Sequence, residues 1–324
     1  VYKRQPQGKS YCRMPAANRS LFRLPAETKG RPGEPHLLSF WVRSPARAWA
    51  SISFTSAERL RSFGAHYPGL PATDGQWKRV GYYFLMPAVA ETIGYSCYLL
   101  KLDLPEETIS FDDVRLRTAT WEEMSAAYEA ERAKYPEYDD SPRADDGKCL
   151  ALSVAKWEGR GVPGKPFLIW AVGSSWTNFQ GDGYPLIRAV KERFPDAPPI
   201  VYKKHAGSGT PWDFARGWVR QFVVAEGPDL VLTYTNGTPA GLEALIREVR
   251  RHTTADIIVP SLHFFQRSKL TEQEIERGVV DWDEVRAICA RHQVEFVENR
   301  RELAAYLKRI GQQPPFLVGD AVHQ

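Results

Sequence analysis

The stretch that most constrains the fold is Phe167-Leu168-Ile169-Trp170-Ala171-Val172-Gly173-Ser174-Ser175-Trp176-Thr177-Asn178. Its apolar run shows no alternation, so a strand built from it must be covered on both faces, as in a parallel sheet flanked by helices. Gly173 and the small hydroxyl residues after it mark the strand's C-terminal tip, the edge where open α/β sheets keep their ligands. Chemistry is expected to start there.

The residues that follow repeat the pattern at βα spacing. Helices are expected at 184–194, 214–225, 240–252, 282–292 and 302–310, with strands at 199–203, 230–234, 256–260 and 295–297. Leu150 to Trp157 is expected to add a strand before the turn Gly159 to Lys165. Alternation of this kind gives a doubly wound parallel sheet with right-handed crossovers. Ser174, Ser175 and Asn236 then fall at strand exits on one edge.

The first third of the chain reads differently. After a basic, polar start with an edge strand near Ser20 to Leu24, short strand-like runs lie at 37–42, 49–54, 77–86, 96–104 and 109–116. Pro45, Pro68-Gly69, Asp74-Gly75, Gly94 and Pro105 punctuate them. Short strands without helical periodicity predict a β-sandwich. Thr120-Trp121-Glu122-Glu123 then opens a capping box and a surface helix through Lys134, and the breaker-rich stretch 136–146 reads as a linker. The expected division is a sandwich over 1–118, helix and linker over 119–149, and an α/β domain over 150–324.

Ala206-Gly207-Ser208-Gly209-Thr210, Tyr234-Thr235-Asn236-Gly237 and Asp320-Ala321-Val322-His323, taken in order with Gly173-Ser174-Ser175-Trp176-Thr177, resemble the GDSL/SGNH hydrolase family. The likeness spans roughly residues 166–323. It implies a flavodoxin-like α/β hydrolase domain in which Ser175 is the nucleophile, His323 its base and Asp320 the residue that orients the base. It also implies oxyanion donors at Gly209 and Asn236, with Gly207 an alternative to Gly209. Two positions depart from the family pattern: Ser174 stands where an acidic residue is usual, and Tyr234 where a glycine is usual. Neither departure removes a group that must carry a proton or charge.

The chemistry agrees with elementary requirements. A serine hydroxyl needs a base to take its proton, and an Asp three positions before a His on a tight turn can fix the ring's tautomer. Trp176, Trp212 and Phe179 flank the motifs as possible substrate contacts or as sheet-edge packing. His263 and His205 are read as surface or second-rank groups near the same rim, with His263 a further possible contact. No cofactor or metal is implied, because Gly207-x-Gly209 lacks the remaining signals of a dinucleotide site and a serine mechanism needs no metal.

The N-terminal sandwich resembles the jelly-roll modules attached to glycan-active enzymes, in Ser39-Phe40-Trp41-Val42-Arg43, Gly75-Gln76-Trp77 and Phe111-Asp112-Asp113-Val114-Arg115-Leu116. Trp41 and Trp77 are expected in its core rather than as sugar platforms. Together the two resemblances imply a carbohydrate O-acetylesterase acting on an acetylated polysaccharide or oligosaccharide. A small-ester or aryl esterase and a noncatalytic glycan-binding protein are the alternatives.

Charge and cysteine content narrow the partners. The net charge of +4, from 43 basic and 39 acidic residues, is spread through the chain, so nucleic acid is not expected. No apolar stretch reaches the roughly 18 residues of a membrane span. Four cysteines without a CxxC pair argue against a zinc knuckle and leave free thiols or disulfides open. Asn18-Arg19-Ser20 and Asn236-Gly237-Thr238 match the glycosylation triplet, the second within the candidate site. A secreted or periplasmic monomer is expected, with a natural chain that continues beyond Gln324.

Overall fold

The computed structural model describes residues 2–3, 11–15, 20–22, 31, 33–45, 48–49, 52–55, 62–66, 69–86, 92–97, 108–135, 139, 141, 143–144, 146–206, 211–265 and 267–317. The chain divides into two compact units, Val1–Lys134 and Tyr135–Gln324.

Among the described residues, the strands of the first unit are β1 Tyr2–Lys3, β2 Tyr11–Pro15, β3 Ser20–Phe22, β4 Pro35–Arg43, β5 Ala48–Trp49, β6 Ile52–Thr55, β7 Ser62–His66, β8 Gly69–Leu70, β9 Lys78–Leu85, β10 Thr92–Cys97 and β11 Thr108–Thr118. They form sheets in the orders β1-β2-β11-β4-β9 and β3-β10-β6-β7, plus the pair β5-β8. All of these pairings are antiparallel. Leu38, Phe40, Val42, Phe84 and Phe111 are buried on the first sheet. Trp41 and Trp77 are only half-buried, and the Arg43 guanidinium lies 5.2 Å from the Trp77 ring. Helix α1, Trp121–Arg132, starts where expected: Thr120 accepts from the Glu123 amide while the Glu123 carboxylate accepts from the Thr120 amide.

The second unit is a parallel sheet with helices. Its strands are β12 Phe167–Gly173, β13 Ile200–Ala206, β14 Leu230–Tyr234, β15 Asp256–Pro260 and β16 Glu295–Val297. The order β13-β12-β14-β15-β16 is 2-1-3-4-5 in strand sequence, the flavodoxin-like winding with its switch point beside the first strand. The helices are α2 Ala151–Ala155, α3 Ser175–Phe179, α4 Tyr184–Arg193, α5 Trp212–Trp218, α6 Pro239–His252, α7 Glu272–Glu276, α8 Trp282–Arg291 and α9 Asn299–Arg309. One core cluster joins Trp212, Leu242, Ile246, Val231, Ile257 and Trp282. Burying each such side chain is worth ~1.5–3 kcal/mol relative to leaving it in water.

Residues 150–157 correct the sequence expectation, forming α2 and a wider helical turn over Lys156–Arg160 instead of a strand. The buried positions are Leu150, Ser153 and Trp157, while Leu152 is exposed, a spacing that matches a helix face. Three carboxylates anchor this region at the sheet's N-terminal edge. Asp229 accepts from the Leu168 amide and pairs with Lys156, Asp256 accepts from the Ser153 amide, and Glu295 accepts from the amides of Gly147 and Cys149. The opposite, C-terminal edge is thereby left to the candidate site.

Candidate active site

Ser175 and Asn236 come from neighbouring strands in matched register. Gly173 of β12 pairs with Tyr234 of β14, and each candidate residue lies two positions beyond its strand's last paired residue. Ala206, the last described residue of β13, also pairs with Gly173. Three strand exits therefore meet at one level of the sheet edge. Ser175 opens α3 and is half-buried, as is Asn236.

This junction is tight. The Thr177 hydroxyl donates to the Tyr234 carbonyl at 3.0 Å, tying α3 to the exit of β14. A methyl group on Gly173 would stand 2.4 Å from Thr177 Oγ1 and 2.8 Å from the Tyr234 carbonyl oxygen, so only glycine lets the two exits approach this closely. The Asn236 carbonyl accepts from the Trp212 amide at 2.8 Å, which brings the start of α5 against the 236–238 turn. Gly237 has φ +148°, and a Cβ there would meet Trp212 N at 2.8 Å and Asp213 Oδ2 at 2.9 Å. Asp213 accepts from both the amide and the hydroxyl of Thr238, and these bonds hold its carboxyl below the usual range. Thr238 in turn caps α6 by accepting from the Gly241 amide.

A pocket of about 470 Å³ opens at Trp176, the residue that follows Ser175 in α3. Tyr202, Leu232, Tyr234 and His263 contribute from the sheet and the exit of β15, Gln180 and Leu186 from the α3–α4 side, and Asn299 from α9. Tyr234 and His263 fix each other: the phenol oxygen is 2.6 Å from His263 Nδ1 and accepts from the His263 backbone amide at 3.3 Å. Which of the two donates in the phenol–Nδ1 bond follows from the tautomer of the imidazole. Burial raises the Tyr234 phenol well above its ordinary pKa, which keeps it protonated. Behind the pair, the buried Arg300 guanidinium donates to the carbonyls of His263 at 2.8 Å and Glu274 at 2.7 Å and lies 4.4 Å from the Phe264 ring. Desolvation lowers the Arg300 pKa.

Among the sequence candidates, the register aligns the strand exits that precede Ser175 and Asn236, and a ring contact brings Trp176 to His263. Trp176 meets His263 edge-on at 6.4 Å and Phe265 at 5.9 Å. His263 is buried and bonded to Tyr234, which removes the surface half of its reading and keeps the other, a group behind the rim. Trp212 is a correction too: it is fully buried, donates its indole N–H to Thr233 at 3.1 Å and packs edge-on against Trp282, so it offers no surface to a substrate. Gly207, Gly209, Asp320 and His323 lie outside the described residues, as do the side chains of His205 and Phe179. Gln180, Tyr202 and Asn299 were not singled out from the sequence. Tyr202 carried only the weak signal of a polar-tipped ring in a buried strand.

No protein-family model matches the chain, and no curated protein matches it. The chain is similar to several solved esterase structures. An acetylxylan esterase from Geobacillus stearothermophilus is 18% identical, with a TM-score of 0.39 over 49% of this chain and 87% of that one. A two-domain esterase active on acetylated mannans is 14% identical, with a TM-score of 0.42 over 55% of this chain and 48% of that one. An α/β-hydrolase enzyme from the metagenome of Lake Arreo, Spain, is 17% identical, with a TM-score of 0.39 over 48% and 87%. No helix among the described residues is long and apolar enough to cross a membrane.

Proposed function

We propose that the chain is an SGNH-type serine esterase that removes O-acetyl groups from a polysaccharide. The observation that supports this reading is the register of β12 with β14: Gly173 pairs with Tyr234, each two positions before Ser175 and Asn236, at the C-terminal edge of a 2-1-3-4-5 sheet. In this reading His323, oriented by Asp320, takes the Ser175 proton as the oxygen attacks the acetyl carbonyl. The backbone amides of Ser175 and Gly209 and the Asn236 carboxamide receive the developing negative charge. Collapse of the intermediate expels the sugar oxygen, which takes the proton from His323 and leaves an acetyl-serine. Water, deprotonated by the same histidine, then releases acetate and restores the serine.

The N-terminal unit supports the polysaccharide part. The strand orders β1-β2-β11-β4-β9 and β3-β10-β6-β7 are compatible with the jelly-roll reading, a two-sheet architecture built from Greek keys. Trp41 and Trp77 are half-buried rather than sealed in the core, which is compatible with a part in glycan binding. A noncatalytic scaffold would be favoured by a serine sealed in the core, whereas Ser175 keeps part of its surface. A substrate outside the cytosol accords with a secreted or periplasmic protein.

The test is acetate release from acetylated xylan and mannan beside a small aryl acetate. Ser175→Ala should abolish release from all of them while leaving the fold intact, and Asn236→Ala should lower kcat about 100-fold through loss of one transition-state donor. Full activity of Ser175→Ala would remove the mechanism. Activity confined to the aryl acetate would reject the polysaccharide and keep the chemistry.

A further inference from the structure

We infer that Asp213 is a positioning residue for Asn236: from the start of α5, its carboxylate fixes the turn that presents the Asn236 carboxamide to the proposed oxyanion. This adds a residue to the esterase reading and rests on that reading for the reaction. The ladder between β12 and β14 ends at Tyr234, so it does not itself hold the backbone of residues 236–238. Bonds from α5 do. The Trp212 amide donates to the Asn236 carbonyl at 2.8 Å. Asp213 Oδ2 accepts from the Thr238 amide at 2.9 Å, and its Oδ1 accepts from the Thr238 hydroxyl at 2.5 Å. The turn is thus gripped at residue 236 and again two residues later, by neighbouring residues of one helix.

The backbone around Asp213 is shaped to let the carboxylate in. A Cβ on Gly241 would stand 2.6 Å from Asp213 Oδ1 and 2.7 Å from its Cγ, and one on Gly237 would stand 2.9 Å from Oδ2. Two bare Cα atoms therefore lie under one side chain, which a merely solubilising aspartate does not require. The element that carries Asp213 is itself anchored. Trp212, one residue before, is fully buried, bonded to Thr233 and packed on Trp282. Thr238 completes the link, because the hydroxyl that donates to Asp213 also accepts from the Gly241 amide and caps α6.

Hydrogen bonds to an ionised acceptor are stronger than neutral ones, and the two from Thr238 hold the Asp213 carboxyl below its usual range, so the clamp stays charged at neutral pH. What it protects is direction. A donor to a developing oxyanion acts only when it already points at the place where charge will form. Without Asp213, the amide and hydroxyl of Thr238 turn to water and the 236–238 backbone gains freedom that the carboxamide of Asn236 inherits. Loss of the clamp is therefore expected in the transition state rather than in substrate binding.

Hydrolysis of 4-nitrophenyl acetate by the full chain tests the assignment, with kcat and KM measured for the parent, Ser175→Ala, Asp213→Ala, Asp213→Asn, Asn236→Ala and the chain carrying both Asp213→Ala and Asn236→Ala. Asp213→Ala should lower kcat by about 10-fold and leave KM within about 2-fold of the parent. In the Asn236→Ala background the same change should lower kcat by less than about 2-fold, since no donor is left to misplace. Asp213→Asn keeps an oxygen for the Thr238 amide and should fall between, at about a 3-fold loss. Asp256→Asn is the control for a purely structural carboxylate: it alters the bond to the Ser153 amide at the opposite edge of the sheet, and should lower the urea midpoint while keeping kcat within about 2-fold. Parent-like kcat in Asp213→Ala, or a loss as large without Asn236 as with it, overturns the positioning role. Where circular dichroism shows that Asp213→Ala does not fold, Asp213→Asn takes its place in the cycle: a loss that disappears without Asn236 supports the role, and parent-like kcat overturns it. A parent that does not turn over the ester, or a Ser175→Ala variant that still does, removes the esterase reading and this role together. An active parent and an inactive Ser175→Ala beside an unaffected Asp213→Ala remove the role alone.

Discussion

Gly173→Ala should damage both stability and catalysis, because the added methyl group enters the junction that sets Ser175 against Asn236. Its contacts would be 2.4 Å to Thr177 Oγ1, 2.8 Å to the Tyr234 carbonyl oxygen and 3.2 Å to Thr235 Cβ, well inside van der Waals separation. The carbonyl belongs to the paired strand and cannot rotate away, so β12 and β14 must part at their exits. Overpacking of this kind costs ~1–3 kcal/mol. Loss of the Thr177 to Tyr234 hydrogen bond adds ~0.5–1.5 kcal/mol, for about 1.5–4.5 kcal/mol together. A shift approaching 1 Å between the proposed nucleophile and the proposed oxyanion donor should lower kcat by about 100-fold. Urea unfolding gives the first quantity and aryl-acetate turnover the second. Adding Thr177→Ala should remove the closest contact and recover only part of each loss, since the carbonyl at 2.8 Å remains. Parent-like stability and turnover in Gly173→Ala would refute the idea that the two exits are held at their closest approach.

Two further outcomes follow from buried polar groups. Tyr234→Phe leaves His263 Nδ1 and the His263 amide without their partner and should destabilise the second unit by ~1–3 kcal/mol; urea unfolding within about 0.3 kcal/mol of the parent would show that the pair contributes nothing. Lys204 is buried, donates to the Gly181 carbonyl at 2.6 Å, and has its pKa pushed down to about 8 from 10.5, chiefly by desolvation, with Asp182 opposing. The unfolded chain thus holds more protons than the folded one between these values, and the lysine's contribution improves as pH rises through the window. The stability advantage of Lys204→Met over the parent should accordingly shrink by about 3 kcal/mol between pH 7 and pH 10.5; a pH-independent difference would contradict a buried, depressed amine.

Much of the second unit was legible because its determinants are local. Unbroken apolar runs closed by polar or small residues located Leu230–Tyr234, Asp256–Pro260 and Glu295–Val297 at their observed bounds. The Thr120/Glu123 capping box, too, is a contact between residues three apart, which a sequence shows directly. Residues 150–157 misled because a short apolar segment suits either a strand or a helix, and only its attachment to Asp256 and to the sheet's lower edge selected the helix. Helix α9 begins at Asn299, three residues before the expected Glu302, since Arg300 is drawn inward to the carbonyls of residues 263 and 274.

Motif order in the sequence put Ser175 and Asn236 on one edge, and the register of β12 with β14 gave that edge its spacing. The rest of the site was decided by tertiary packing. Trp212 and Trp176 look alike beside their motifs, yet Trp212 is sealed between Thr233 and Trp282 while Trp176 faces a pocket. That pocket joins Tyr202, Tyr234, His263 and Asn299 from β13, β14, the exit of β15 and α9. Periodicity tells which face of an element turns inward. It carries no information on which distant side chains will share the space once several elements have closed over it, because that depends on strand order, register and helix placement together.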